Sequence, residues 1–338
     1  MADALLSPAV GGVMTAVSAY AIGYGVKRIA GDRLDEKKIP MMAVSGAFVF
    51  AAQMINFTIP GTGSSGHIGG GVLLAALLGP FPALLTLASV LLIQCLFFAD
   101  GGLLAYGCNV FNMGVVACCF AYTLVYRPIV KRGITKKRLI AASVAASIAG
   151  LEAGAFCVVL ETVLSRVAEL PFGVFVLLMQ PIHLAIGLVE GLVTAAVLCY
   201  VRQVRPEVLD SPLENTHIAA GVPMRAVIAG FVVLALVSGG FLSIFASAYP
   251  DGLEWSMEKT AGTAGLEREG PVYEAAERAV ETTAFLPGYG LPGEDSGGAA
   301  GTALAGIAGS VITVILAGGA GLAIHAARRS RTGKAAAP

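Results

Sequence analysis

Four histidines and six cysteines are the softer metal donors of this 338-residue chain, and one histidine stands apart from the rest. His67 closes the run Thr58-Ile59-Pro60-Gly61-Thr62-Gly63-Ser64-Ser65-Gly66, which is dense in glycine and small polar residues. A neutral imidazole in such a loop is a nitrogen ligand of the kind that nickel, cobalt, copper and zinc take. A second polar cluster is Asp100-Gly101-Gly102, followed by Asn109 and Asn112, which the sequence places one helical turn apart. His183 and Glu190 are seven residues apart in an apolar run. At 1.5 Å per residue that spacing puts both on nearly one helix face, about 10 Å apart. Glu152 lies in the middle of the preceding run. An ionisable side chain at mid-bilayer costs roughly 2.5–3.5 kcal/mol even on a lenient scale. No Lys or Arg lies inside these runs to pair with the acids, so each must be protonated, hydrogen-bonded or set in a polar cavity. For His183 and Glu190 two roles stay open: bonding neighbouring helices, or a direct part in moving an ion.

Other chemistries find little support. The cysteines (Cys95, Cys108, Cys118, Cys119, Cys157 and Cys199) all sit in apolar runs without a CxxC pair, and read as small packing residues. No two histidines are four residues apart, so a zinc-hydrolase motif is missing. A GxxxxGK[ST] phosphate loop is also missing, so the chain does not itself hydrolyse ATP. Gly63-Ser64-Ser65-Gly66 fits a G-x-S-G pattern, and with His183 as base it leaves an intramembrane serine protease as a rival reading. A proton-coupled secondary cation carrier, with Glu152 and Glu190 as proton sites, is another, although no inverted repeat supports it.

The elements that must hold these residues are helices in a membrane. Hydrophobic residues make up 56% of the chain, charged ones only 13%, and the mean hydropathy is +0.79. Soluble domains carry roughly 25% charged residues. The net charge is zero, which leaves no case for nucleic-acid binding. Apolar runs predict spans near 8–27, 40–58, 68–79, 83–99, 104–126, 139–163, 175–201, 224–247 and 302–325. The third is short, and Gly79-Pro80-Phe81-Pro82 forces a turn after it. With this count, 18 of the 22 basic residues fall on one side, leaving Arg166, Lys259, Arg268 and Arg278 on the other. Cytoplasmic loops hold basic residues in excess, so the N-terminus is expected outside and the C-terminus in the cytoplasm. Met1 to Val10 lacks the basic region of a signal peptide.

The expected architecture is an all-α integral membrane protein with a seven-helix core over 1–202, a cytoplasmic linker over 203–223, and two further spans within 224–338. Those last spans flank an outer loop, 248–301, holding ten acidic residues against three basic ones. Such a loop is a solvated surface or a weak cation-attracting vestibule. A short helix is expected around Glu267 to Glu281, and flexible chain over Pro287 to Gly301. The glycines Gly306, Gly309, Gly318, Gly319 and Gly321 suit close helix packing in lipid.

Five stretches together resemble the CbiM/NikM family, the membrane-embedded substrate-binding (S) components of energy-coupling-factor cobalt and nickel transporters. They are Ala2-Asp3-Ala4-Leu5-Leu6-Ser7-Pro8, Gly61 to Gly70, Phe98-Ala99-Asp100-Gly101-Gly102-Leu103-Leu104, Asn109-Val110-Phe111-Asn112-Met113-Gly114, and His183 to Gly191. Pro250-Asp251-Gly252-Leu253-Glu254 resembles the PDGLE signature of the small NikN-type companion subunit, so the chain looks like a fusion of both. The resemblance implies that the N-terminus folds into the outer face, where its amine, a backbone amide and the imidazole of a histidine at position two join a loop histidine around the metal. Four nitrogens in a plane suit Ni²⁺ and Co²⁺ without choosing between them. Here His67 matches the loop histidine and Met1 offers a terminal amine, while Asp3, Asp100, Asn109, Asn112, His183 and Glu190 are the supporting polar residues. Position two is Ala2, which departs from the pattern. Members of this subtype begin Met-His-Met-Ala-Asp-Ala-Leu-Leu-Ser-Pro, so the expectation is that Met1 matches their third residue and a Met-His pair precedes it. The resemblance further implies ATPase subunits and a transmembrane coupling subunit as partners. Transported Ni²⁺ or Co²⁺ would be the ligand, with no permanently bound cofactor.

Overall fold

Proline, glycine and polar caps set the ends of the apolar runs, and each predicted run forms a helix. The computed structural model describes residues 1–31, 36–166, 170–214, 216–219, 221–262, 268–291 and 298–335. Twelve helices are labelled in chain order: α1 (Pro8–Gly31), α2 (Lys38–Gln53), α3 (Gly71–Leu78), α4 (Pro80–Phe98), α5 (Tyr106–Val130), α6 (Lys136–Ser165), α7 (Phe172–Val204), α8 (Glu207–Glu214), α9 (Arg225–Gly240), α10 (Gly252–Ala261), α11 (Pro271–Thr283) and α12 (Ala299–Ala335). Seven of the nine apolar helices are long enough to cross a bilayer, making this an all-α, multi-pass membrane protein. The other two, α2 and α3, are short because they are wrapped in protein. Nearly every residue of α2 and all eight of α3 are buried. A helix with no lipid face is free of the bilayer-length requirement, and irregular backbone at that depth is tolerated only where protein covers it.

Lipid-facing surfaces are apolar on α1, α6, α7, α9 and α12, with Val17, Leu164, Leu177, Leu236 and Ile315 all exposed. Inside, α2 is the hub, packed by α4, α9 and α12. The two C-terminal spans are therefore seated on the first part of the chain. Glycine makes this close approach possible: a Cβ on Gly309 would collide with the Phe50 ring, and Gly306 lies backbone to backbone on Gly239. Gly318 and Gly321 pack on Ala43 and Ile39, while Gly319 faces open space.

Four features depart from expectation. A two-stranded antiparallel hairpin, β1 (Phe57–Ile59) with β2 (Ser64–Gly66), fills the loop before α3, where the sequence had suggested that the second span continued to 58. Its turn runs through Gly61 and Gly63, both at positive φ. In α5 the stretch Val110–Tyr126 is wound as a π-helix, with i→i+5 bonding such as Arg127 N–H to Tyr122 C=O. Asn109 and Asn112 therefore do not stand one α-helical turn apart. The linker carries a helix, α8, whose Leu213 C=O accepts from Arg127 (3.1 Å) and whose Pro212 meets Gly79 after α3. The outer-loop helix is shorter than Glu267–Glu281: α11 runs Pro271–Thr283, and Glu267 lies outside the described residues. Within 287–301, Pro287–Tyr289 forms a 3-10 turn and α12 starts at Ala299, while 292–297 lie outside the described residues.

Candidate metal-binding site

At the face shared by the hairpin and the N-terminus, Asp3–Leu5 makes one 3-10 turn against the 100–105 loop. Asp3 Oδ1 accepts the Ala105 N–H at 2.7 Å, and the N–H groups of Leu104 and Leu103 also serve the carboxyl. Burial pushes the Asp3 carboxyl above its ordinary range, and the three amides pull the other way. The loop can close this tightly only because Gly102 has φ +75° and no side chain: a Cβ there would collide with Asp3 Oδ1. Asn109 Nδ2 donates to Met1 C=O (3.1 Å), Tyr273 OH donates to Leu6 C=O (2.7 Å), and Leu5 and Leu6 are buried. Met1 is thereby held on the wall of a cavity of about 130 Å³ whose lining also includes His67, Asn112, His183, Glu190 and Gly252.

His67 follows β2 directly. Its Nδ1 faces the Ile68 carbonyl at 3.1 Å. A carbonyl only accepts, so in the neutral ring Nδ1 carries the proton and Nε2 the lone pair, the orientation common to metal-binding histidines. The next residues are clamped from three helices. Gly69 N–H donates to Glu190 Oε2 (2.6 Å), Gly69 C=O accepts from Gln53 Nε2 (3.0 Å), and Gln94 Nε2 donates to Gln53 Oε1 (2.7 Å). Glu190 is thus a buried anchor for the His67 loop. His183 bonds its own helix, Nδ1 to Met179 C=O at 2.8 Å, and likewise leaves Nε2 as the lone-pair nitrogen.

The outer lid of the cavity comes from the other end of the chain. Ser65 N–H donates to Pro250 C=O (2.8 Å) and Ser65 Oγ to Tyr249 C=O (2.7 Å), so the start of the PDGLE signature meets β2 through a single parallel bridge, Ser65 to Asp251. Asp251 then caps α10, accepting from the Leu253 and Glu254 N–H groups at 2.8 Å each. Gly252 lies on Ile182 and the His183 ring. Ser65 is fully buried with its hydroxyl given to these carbonyls, which leaves no nucleophile for a serine protease.

The structure brings Met1, His67, Asn109, Asn112, His183 and Glu190 to one cavity, with Asp3 outside it as a clamp. Asp100 faces a neighbouring space of about 190 Å³ shared with Asp251 and Glu254, and accepts from Tyr289 OH (2.5 Å). Burial, with Asp251 and Asp100 adding to it, pushes the Glu254 carboxyl up. Glu152 stands apart: the Gln180 amide, oriented so that both its ends are paired, donates to it across the α6–α7 boundary. Sequence reasoning missed Glu161, buried and bonded to Asn112 Nδ2 (2.7 Å), and the Gln53–Gln94 pair. The signal for Gln53 and Gln94 was a lone polar residue in an apolar run. Among the described residues no three His, Cys, Asp or Glu side chains form a metal-holding group.

Residues 1–208 match the family described as the cobalt uptake substrate-specific transmembrane region, and residues 225–326 match the PDGLE domain. A protein of Archaeoglobus fulgidus, provisionally named a fused nickel transport protein NikMN, is 36% identical over 93% of this chain and 95% of its own length. The fused nickel transport protein NikMN of Rhodobacter capsulatus is 29% identical, covering 86% of this chain and 82% of that protein. The cobalt transport protein CbiM of Geobacter sulfurreducens is 30% identical over 85% and 83%. The crystal structure of a truncated transition metal transporter, 30% identical, superposes on 60% of this chain and 98% of its own with a TM-score of 0.53. This chain belongs to the cobalt uptake substrate-specific transmembrane region family, joined in one polypeptide to a PDGLE domain.

Proposed function

We propose that this protein captures Ni²⁺ or Co²⁺ at the outer face of the cytoplasmic membrane, as the substrate-binding component of an ATP-driven energy-coupling-factor transporter. The observation that carries the reading is the clamping of the N-terminal segment by Asp3, Asn109 and Tyr273, which puts Met1 on the same cavity wall as the free Nε2 side of His67. Main-chain and terminal nitrogens with one imidazole suit a planar site for Ni²⁺ or Co²⁺. The reading includes a Met-His pair ahead of Met1, whose imidazole would complete the four nitrogens. It also divides the chain into a metal-binding core (1–202), a cytoplasmic linker (203–223) and a two-span region (224–338). The N-terminus is outside, the C-terminus is cytoplasmic, and separate ATPase and coupling subunits supply the energy.

Titration of Ni²⁺ and Co²⁺ into three purified forms tests this: the chain with a Met-His extension, the chain as it stands, and the extended chain with His67→Ala. Tight binding should require both the extension and His67, each removal weakening it by about 10- to 100-fold or more. Equal, weak binding in all three would overturn the metal assignment.

A further inference from the structure

We propose that Gln53 and Gln94 are positioning residues for the metal site: their amides form a strut that fixes the His67 loop against the loop holding the N-terminal segment. The inference rests on the reading of His67 and the N-terminal segment as the capture site. Each glutamine stands at or near the end of a helix from which one half of that site hangs. Gln53 is the last residue of α2, and the hairpin that leads to His67 follows it. Gln94 lies four residues before the end of α4, and its C=O accepts the N–H groups of Ala99 and Asp100 as the chain turns into the 99–105 loop. That loop carries the other half. Ala105 N–H bonds Asp3, and a Cβ on Gly101 would stand 3.6 Å from Met1 C=O.

The two amides join these halves through one chain of hydrogen bonds. Gln94 Nε2 donates to Gln53 Oε1 (2.7 Å), and Gln53 Nε2 donates to Gly69 C=O (3.0 Å), two residues after His67. Its directions are fixed. A carbonyl only accepts, so Gly69 takes the Gln53 amide nitrogen and turns the amide oxygen to Gln94. From α7, Glu190 accepts the Gly69 N–H (2.6 Å), so one residue is gripped through both its main-chain polar groups.

Both glutamines are enclosed among apolar residues, only 3% and 6% exposed. Apolar contacts between α2 and α4, such as the Phe50 ring 5.4 Å from that of Phe98, hold the helices together without direction. A buried, bonded amide pair adds direction and specifies one register. Replacing both partners of such a pair by apolar groups of like shape is nearly neutral for stability, so stability alone is a weak reason for it. The metal site supplies a stronger one. A planar set of nitrogens drawn from two loops needs those loops at one separation and tilt. Ni²⁺ takes that plane, whereas Zn²⁺ favours a tetrahedron and tolerates a displaced imidazole. The strut therefore acts on selectivity as well as on affinity.

The test uses the full-length chain with the Met-His extension, unmutated and as Gln53→Met, Gln94→Met and the double variant; Met keeps the length of the side chain and removes its hydrogen bonds. Ni²⁺ titration, the visible spectrum of bound Ni²⁺, Zn²⁺ competition and thermal unfolding are measured on each. Ni²⁺ binding should weaken by about 10- to 100-fold, with loss of the planar spectrum and of preference over Zn²⁺. Because the pair acts as a unit, the double variant should match the single ones within about twofold. If Gln53→Met fails to fold, Gln94→Met, which leaves Gly69 bonded to Gln53, carries the same readouts. Unchanged Ni²⁺ binding and spectrum in a folded variant would overturn the proposal. So would weaker binding with the planar spectrum and the preference over Zn²⁺ intact, which is what a merely loosened fold gives. In both cases tight binding by the unmutated chain leaves the capture reading standing, whereas no binding by that chain sinks both.

Discussion

Asp3 sits where a carboxylate gathers three backbone N–H groups and gives up water to do so. Its folded pKa is raised, so the stability it contributes is present below the ordinary value of 3.8 and is lost as pH rises through the raised value. The wild-type protein should therefore lose thermal stability relative to Asp3→Asn as pH climbs from about 4 towards neutrality, a slope that detergent-phase melting curves would reveal. At Gly102, Ala would force both a positive φ and a clash with the Asp3 carboxyl. Gly102→Ala should cost about 1–3 kcal/mol and weaken metal binding by releasing the N-terminal turn, measurable by the same titration. Of the clamp, the polar cluster Asp100-Gly101-Gly102 and Asn109 stood out in the sequence and Asp3 came from the resemblance, while Tyr273 and the contacts themselves were not legible. Nor was Glu161, since an acid near the end of a predicted span reads as a solvated terminus. Only the approach of α6 to α5 shows that it is buried against Asn112.

The bridge between the PDGLE segment and β2 is the structural event at the scale of elements. Two hydroxyl contacts and one main-chain bond hold it, so Ser65→Ala should loosen it by about 1 kcal/mol per lost hydrogen bond. Hydrogen exchange of the 247–254 amides should quicken in Ser65→Ala, while the α2 core stays protected; unchanged exchange would show that α10 packing alone holds the lid. The pattern of helices was readable because each run is long, apolar and ended by Pro, Gly or a cap, as at Gly79-Pro80 and at Thr135, which accepts from Arg138 N–H. The hairpin was not readable. Strands of three residues are too short to show alternation, and β2 needs residue 250 beside it. The π winding of α5 left no trace in the order of residues; within it Ala117 and Ala121 lie against Gly71 and Gly150.

Polar contacts sort to two ends of the molecule. At one end Lys37 donates to Ala219 and Val222 C=O, Arg205 to Pro223 C=O (2.8 Å), and His325 meets Glu36 at 3.3 Å. At the other lie Met1, the hairpin, Asp100 and Tyr273. The proposed orientation makes the first end cytoplasmic. Cysteine placed at Thr62 should react with a membrane-impermeant maleimide in intact cells, whereas cysteine at Lys131 should react only after lysis; the reverse pattern would invert the topology. That two ends exist was legible from the 18-to-4 division of basic residues, but that α2 joins the first and last thirds of the chain was not.

Because the segment beside Ser65 is tethered through α9 to α2, its meeting with β2 is a first-order event. Two separate subunits sharing that small contact would associate by mass action and part when diluted over a large membrane area. A tether of this kind supplies an effective concentration on the millimolar scale, whatever the expression level. Closure of the cavity mouth is thus set by the chain itself and is insensitive to how many copies the cell makes.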